Sequence, residues 1–204
     1  TWWSWGTETL SNIIREAADH DNISAVILDV DSGGGAVDAI FPMIDVINYS
    51  KTKMPVIGLA DTAASAAYYS ISACDLVIAS NDISSEFGSI GVMVSFADVR
   101  PYWEEMGIKF HTIYAPESDH KNLPFETALK GDYKLMKELV LSPLAKKFQS
   151  DVRKYRNGKV DITQKGILNG KMYYANDAIK YGLADELGNL DYAIKQANAL
   201  ASKR

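Results

Sequence analysis

Three short apolar runs, AVILDV at 25–30, MPVIGLAD at 54–61 and DLVIAS at 75–80, limit the fold more than any other feature of the chain. Each is apolar at nearly every position instead of every second one, the pattern of a strand covered on both faces. The segments around them have helical spacing. Leu10, Ile13, Ile14 and Ala17 recur at i, i+3, i+4 and i+7 within 9–18, and Val37, Ile40, Phe41, Ile44 and Ile47 do the same after the first run, with Pro42 tolerable near a first turn. The small-residue stretch AASAAYYSISAC, 63–74, reads as a further helix. The order is β-α-β-α-β, an α/β fold with a parallel sheet between helices, whose ligands collect beyond the carboxyl ends of the strands.

Downstream, the pattern predicts a helix around 96–106, a strand IKFHTIYA at 108–115, a polar loop over 116–126 and a long amphipathic stretch over 127–156, with a largely helical C-terminal third. The apolar face of that stretch carries Leu135, Leu139, Leu144, Phe148 and Val152 and calls for a cover. No repeat, low-complexity tract or linker divides the chain, so residues 1–204 are expected to form a single domain. The opening TWWSWG groups three tryptophans, as in a core or interface strand cut from a longer chain.

The composition excludes several partners. A net charge of −5, from 21 basic and 26 acidic residues without a basic cluster, gives no footprint for nucleic acid or an anionic membrane. One cysteine, Cys74, cannot form an internal disulfide, and three scattered histidines make a metal site improbable, so no metal or cofactor is expected. Without a membrane-spanning run or a signal-peptide pattern, the chain as given reads as soluble and cytoplasmic, though a membrane-anchored parent chain stays open.

The first apolar run ends in Asp31-Ser32-Gly33-Gly34-Gly35. The loop has neither the Gly-Lys-Ser/Thr ending of a phosphate loop nor the G-x-G-x-x-G spacing of a dinucleotide site. Exposed amides after a strand can also receive the oxyanion of a tetrahedral intermediate, which requires a nucleophile close by. Ser65, set among Ala63, Ala64, Ala66 and Ala67 after the second run, can supply one, although an Ala/Ser-rich helix start can equally reflect close helix packing and the G-x-S-x-G elbow is absent.

Taken in order, Asp31 to Gly35, Ala64-Ser65-Ala66, Gly88-Ser89-Ile90-Gly91-Val92, His120-Lys121-Asn122-Leu123-Pro124-Phe125 and Gly182-Leu183-Ala184-Asp185-Glu186-Leu187 resemble the motifs of peptidase family S49, which includes signal peptide peptidase A and lambda-type phage prohead proteases. The last motif and the helical segment before it most resemble the phage branch. Gly33 replaces the family's usual proline, which loosens the loop, and Ala66 replaces the usual glycine, which narrows the pocket.

The resemblance implies a ClpP/crotonase-like fold and a serine endopeptidase with a Ser-Lys dyad. Ser65 would attack the peptide carbonyl, and Lys121, effective only as a neutral amine, would take its proton. Gly35 and Ala66 would form the oxyanion hole, and Ser89 would orient the lysine. His111 and His120 are weaker choices of base. Implied substrates are capsid or scaffold precursors, or signal-peptide-like segments, in a phage or prophage setting. The resemblance also implies a homo-oligomer with active sites shared between protomers. An inactive assembly subunit and a crotonase-like acyl-CoA enzyme are the alternatives.

Overall fold

The computed structural model describes residues 6–204; the tryptophan-rich start, expected as a strand, lies outside the described residues. The chain divides into two compact units, one running up to Gly91 and resuming at Phe148–Arg204, the other Val92–Lys147.

The first unit follows the predicted alternation: α1 (Thr7–Asp19), β1 (Val26–Ser32), α2 (Ile40–Lys51), β2 (Val56–Ala64), α3 (Ala66–Ile71), β3 (Leu76–Ala79) and β4 (Glu86–Gly88). Parallel β1 runs along one edge of β2, from Val26 opposite Val56 to Ser32 opposite Ala63. The other edge of β2 is shared in series by β3, opposite Ile57–Ala60, and β4, opposite Thr62–Ala64. β1 therefore pairs on one side only among the described residues.

Both faces of β2 are buried, as its continuous apolar run requires. Val56 and Ala60 face the main core with Val77, Phe87, Phe148 and Leu183, while Ile57 and Leu59 pack with Ile78, Ala193 and Ala197. The alternation follows from successive side chains pointing to opposite faces of a strand, and each fully buried Ile or Val contributes about 1.5–3 kcal/mol. β2 extends to Ala64, so the following helix begins at Ala66 and not at 63.

The C-terminal part is helical, with α6 (Ser142–Tyr155), α7 (Ala175–Lys180) and α8 (Leu190–Ala201), but it also contains β5 (Met172–Tyr174), antiparallel to β4, and β6 (Glu186–Leu187), parallel to β3. Strands of three and two residues leave no periodicity to read, and β5 makes the sheet mixed.

The second unit holds α4 (Arg100–Glu105), α5 (Leu123–Leu129), a π-helical segment Met136–Leu141 and the start of α6. The strand expected at 108–115 does not form: Ile108 turns back to donate to the Trp103 carbonyl at 3.0 Å, and Phe110 and Ile113 are exposed. Strand propensity makes a strand only when the segment is paired with another, and 108–115 has no strand partner among the described residues. The predicted long helix is broken too. After α5, Asp132 N–H closes on the Thr127 carbonyl and a new helical run follows that includes the π-helical segment Met136–Leu141; on that run Phe148 and Val152 are in the core and Leu139, within the π-helical segment, is exposed.

A buried ion pair ties α6 to the C-terminal motif. Arg156, 2% exposed, donates to both carboxylate oxygens of Asp185 at 2.9 and 2.8 Å, and Asp185 also accepts from Lys159 and from the Val77 amide. Burial alone would raise the Asp185 carboxyl, but the hydrogen bonds and charge of Arg156, with Lys159 and the Val77 amide, hold it below its ordinary 3.8. Since the folded value is the lower one, the associated stability is fully present above about pH 4 and is lost as pH falls through the folded value. Asp185→Asn should lower stability at neutral pH by about 2 kcal/mol and flatten the loss of stability below about pH 4, measured by urea unfolding across pH.

Candidate active site

The site is built where β1 and β2 end side by side. Residues 33–36 leave β1 without regular structure, and Gly34 has φ +98°. A Cβ on Gly34 would lie 2.7 Å from the Ala64 carbonyl oxygen, 2.8 Å from Ser65 Cβ and 2.9 Å from the Ala66 nitrogen. The glycine loop thus packs by its bare backbone against the turn that carries Ser65. Ser32 Oγ accepts from the Gly34 amide at 3.2 Å, whereas Gly33 and Gly35 would meet nothing within 4 Å.

Ser65 joins β2 to α3 at φ 52°, ψ −121°, a conformation that costs a non-glycine residue about 1–3 kcal/mol and survives only where its surroundings impose it. The surroundings are identifiable. Ser65 N–H donates to the Gly88 carbonyl at 2.9 Å, and the Ser65 carbonyl accepts from Tyr69 N–H at 2.9 Å, starting α3. Ser89 is in the same situation on the adjacent strand: Ala64 pairs with Gly88, and the residue after each is a half-buried serine at φ 52°. Neighbouring strands lie about 4.8 Å apart, so the pairing sets the two serines side by side.

A cavity of about 450 Å³ opens along β1, and Leu10, Ile14, Ile27, Gly35 and Ala66 are among the residues that line it. The two residues named for an oxyanion hole therefore line one space. Ala66 opens α3, where a helix's amides have no partner within the helix. Leu10 and Ile13, expected on a buried helix face, are exposed but line this cavity.

Lys121 lies in the other unit. Its amide donates to the Ser118 carbonyl at 3.0 Å in the turn before α5, and its side chain is exposed in the single chain. His111 is exposed there, and the exposed His120 ring shares a hydrogen bond with Asp119 at 2.7 Å, which raises its pKa. Cys74 is not a competing nucleophile, since burial pushes its thiol up to about 12. Among the described residues no group of three His, Cys, Asp or Glu could hold a metal, and no helix is long and apolar enough to cross a membrane.

The sheet unit thus assembles Gly34, Gly35, Ser65, Ala66 and Ser89. Gly34 was not singled out from the sequence, because three consecutive glycines do not reveal which one takes the positive φ. The family model of peptidase family S49 matches residues 48–204. The chain belongs to peptidase family S49. Both branches of S49 relatives match. Protease 4 of Haemophilus influenzae is 28% identical over 98% of this chain and 32% of its own length, and capsid assembly protease C of Escherichia phage lambda is 27% identical over 89% and 40%. The S49 chain therefore spans about a third to two fifths of these relatives.

Solved structures place the S49 fold as the sequence implied. A mutant of the 1510-N membrane-bound stomatin-specific protease superposes with a TM-score of 0.62 at 17% identity, covering 94% of this chain and 78% of that one. An enoyl-CoA hydratase/isomerase family protein from Silicibacter pomeroyi gives 0.54 at 14%, covering 96% and 71%. The architecture is crotonase-like and is shared by peptidases and acyl-CoA enzymes, so the fold alone does not choose the chemistry.

Proposed function

We propose that the chain is a serine endopeptidase in which Ser65 is the nucleophile and Lys121 the general base. The observation that carries this reading is Ser65 held at φ 52° against the bare backbone of Gly34, with Gly35 and Ala66 on one cavity. Strain of that kind clusters at active sites, ligand clamps and switch regions. The peptidase family match favours this reading over an acyl-CoA enzyme.

The chemistry is written from these groups. An extended peptide lies along the edge of β1 that has no strand partner among the described residues, with apolar side chains in the cavity. Ser65 Oγ attacks the scissile carbonyl carbon while its proton passes to the neutral Lys121 amine, and the amides of Gly35 and Ala66 receive the developing oxyanion. The lysine ammonium returns the proton to the leaving amine, and water repeats the sequence on the acyl-enzyme. Ser89 orients the lysine amine. The substrates are proteins. The phage relative's name, capsid assembly protease, favours precursors of a phage particle over signal-peptide-like segments.

The site is shared between protomers. A lysine that works as a neutral amine needs cover, and the resemblance to S49 peptidases implies that a neighbouring copy supplies it. Ser65→Ala and Lys121→Ala chains, each inactive alone, should recover a fraction of wild-type hydrolysis of an unfolded protein when dissociated and reassembled together. Recovered activity should vanish on dilution below the assembly concentration. A mixed oligomer containing both variants, verified by native mass spectrometry, that cleaves nothing contradicts the shared site.

A further inference from the structure

Helix α3 is six residues long and carries Ser65 at its start, and a helix that short takes its position from tertiary contacts. Tyr68, fully buried and three residues past Ser65, donates its hydroxyl to the Leu183 carbonyl at 3.0 Å. That acceptor sits in a rigid frame. Arg156 Nε donates to the Gly182 carbonyl at 3.0 Å while its guanidinium grips Asp185. Leu183 N–H donates to the Ala178 carbonyl and Asp185 N–H to the Val77 carbonyl, both at 2.7 Å. Gly182, at φ +77°, leaves no room for a side chain, since a Cβ would lie 1.9 Å from the Lys159 carbonyl oxygen. Leu183 is thereby fixed at both flanks, and its carbonyl faces a tyrosine of the helix that Ser65 begins.

We infer that Tyr68 is a positioning residue for Ser65, and that the Gly182–Asp185 turn with Arg156 is the anchor through which it acts. The inference rests on the peptidase reading for its kinetic consequence, not for its geometry. The neighbouring Tyr69 is held separately, its ring stacked on Phe148 at 4.5 Å and its hydroxyl bonded to Asp151. Loss of the Tyr68 hydroxyl should therefore loosen the Ser65 turn without releasing α3. Misplacing a reacting group by about 1 Å can cost about 100-fold in rate, and a partial loosening is expected to cost about tenfold.

The test compares Tyr68→Phe, which deletes one oxygen, with Ile78→Val, a control in the other core cluster. Two quantities are read well below the melting temperature of each variant: the kcat and KM of peptide hydrolysis, and backbone amide exchange over residues 65–69. Tyr68→Phe should lower kcat about tenfold with KM unchanged and should raise exchange in that turn. Asp185→Asn, which weakens the anchor without touching α3, should do the same to a smaller degree, and Ile78→Val should do neither. If Tyr68→Phe leaves exchange over 65–69 at the wild-type level, or if Ile78→Val raises it equally, the positioning role is wrong. A wild-type chain that hydrolyses nothing counts against the peptidase reading alone, and the exchange result then decides the inference by itself.

Discussion

Ser65→Ala should lower peptide hydrolysis by at least about 10³-fold with the fold intact. Alanine keeps the Ser65 amide and carbonyl, and so keeps the backbone bonds to Gly88 and Tyr69 that hold the φ 52° turn. Only the attacking oxygen is lost. Lys121→Ala should be equally inactive, because nucleophile and base act as one proton-transfer unit. Lys121→Arg should fail as well, since a guanidinium stays protonated at any usable pH. In the wild type the amine accepts the Ser65 proton only when neutral, so the acylation rate should rise with pH between about pH 6 and pH 9. Substantial turnover by Lys121→Arg, or a rate that falls steadily over that range in a folded protein, would remove Lys121 as the base.

The second large effect is expected at Gly34. Alanine there meets three atoms of the nucleophile turn under 3.0 Å, two of them backbone, and adopts φ +98°. Either the glycine loop or the Ala64–Ala66 turn has to move, and both carry the proposed oxyanion amides. Gly34→Ala should lower kcat/KM by about 100-fold and stability by about 1–3 kcal/mol. Gly33→Ala, with open space around its Cβ, should change stability by less than about 1 kcal/mol. Peptide kinetics and urea unfolding on the two variants check this contrast. Equal behaviour of both would mean that the loop does not pack against Ser65 in solution.

The residues that could be read from the sequence are those whose role follows from local pattern. The continuous apolar run 54–61 required burial on both faces, and β2 has it; the glycines at 33–35 called for a turn out of a strand, and they follow β1 directly. What could not be read depends on contacts between distant segments. The segment 108–115 has the composition of a strand but no strand partner among the described residues. β5 and β6 are too short to show a period, and their pairing is set by β4 and β3. Ser65 and Ser89 are 24 positions apart, and only the Ala64–Gly88 register makes them neighbours. Tyr68 looked like one more residue of a small-residue helix until its acceptor, 115 positions away, was in place.

The account turns on Ser65 being an activated nucleophile, and covalent capture tests that most directly. Wild-type chain, assembled at high concentration, is incubated with a fluorophosphonate, digested with a second protease and mapped by mass spectrometry. The account predicts one phosphonylated residue, Ser65, with labelling that rises with pH, is absent in Ser65→Ala and is strongly slowed in Lys121→Ala. Assembled, folded chain that remains unlabelled, or that is labelled at another serine with Ser65 untouched, would contradict it.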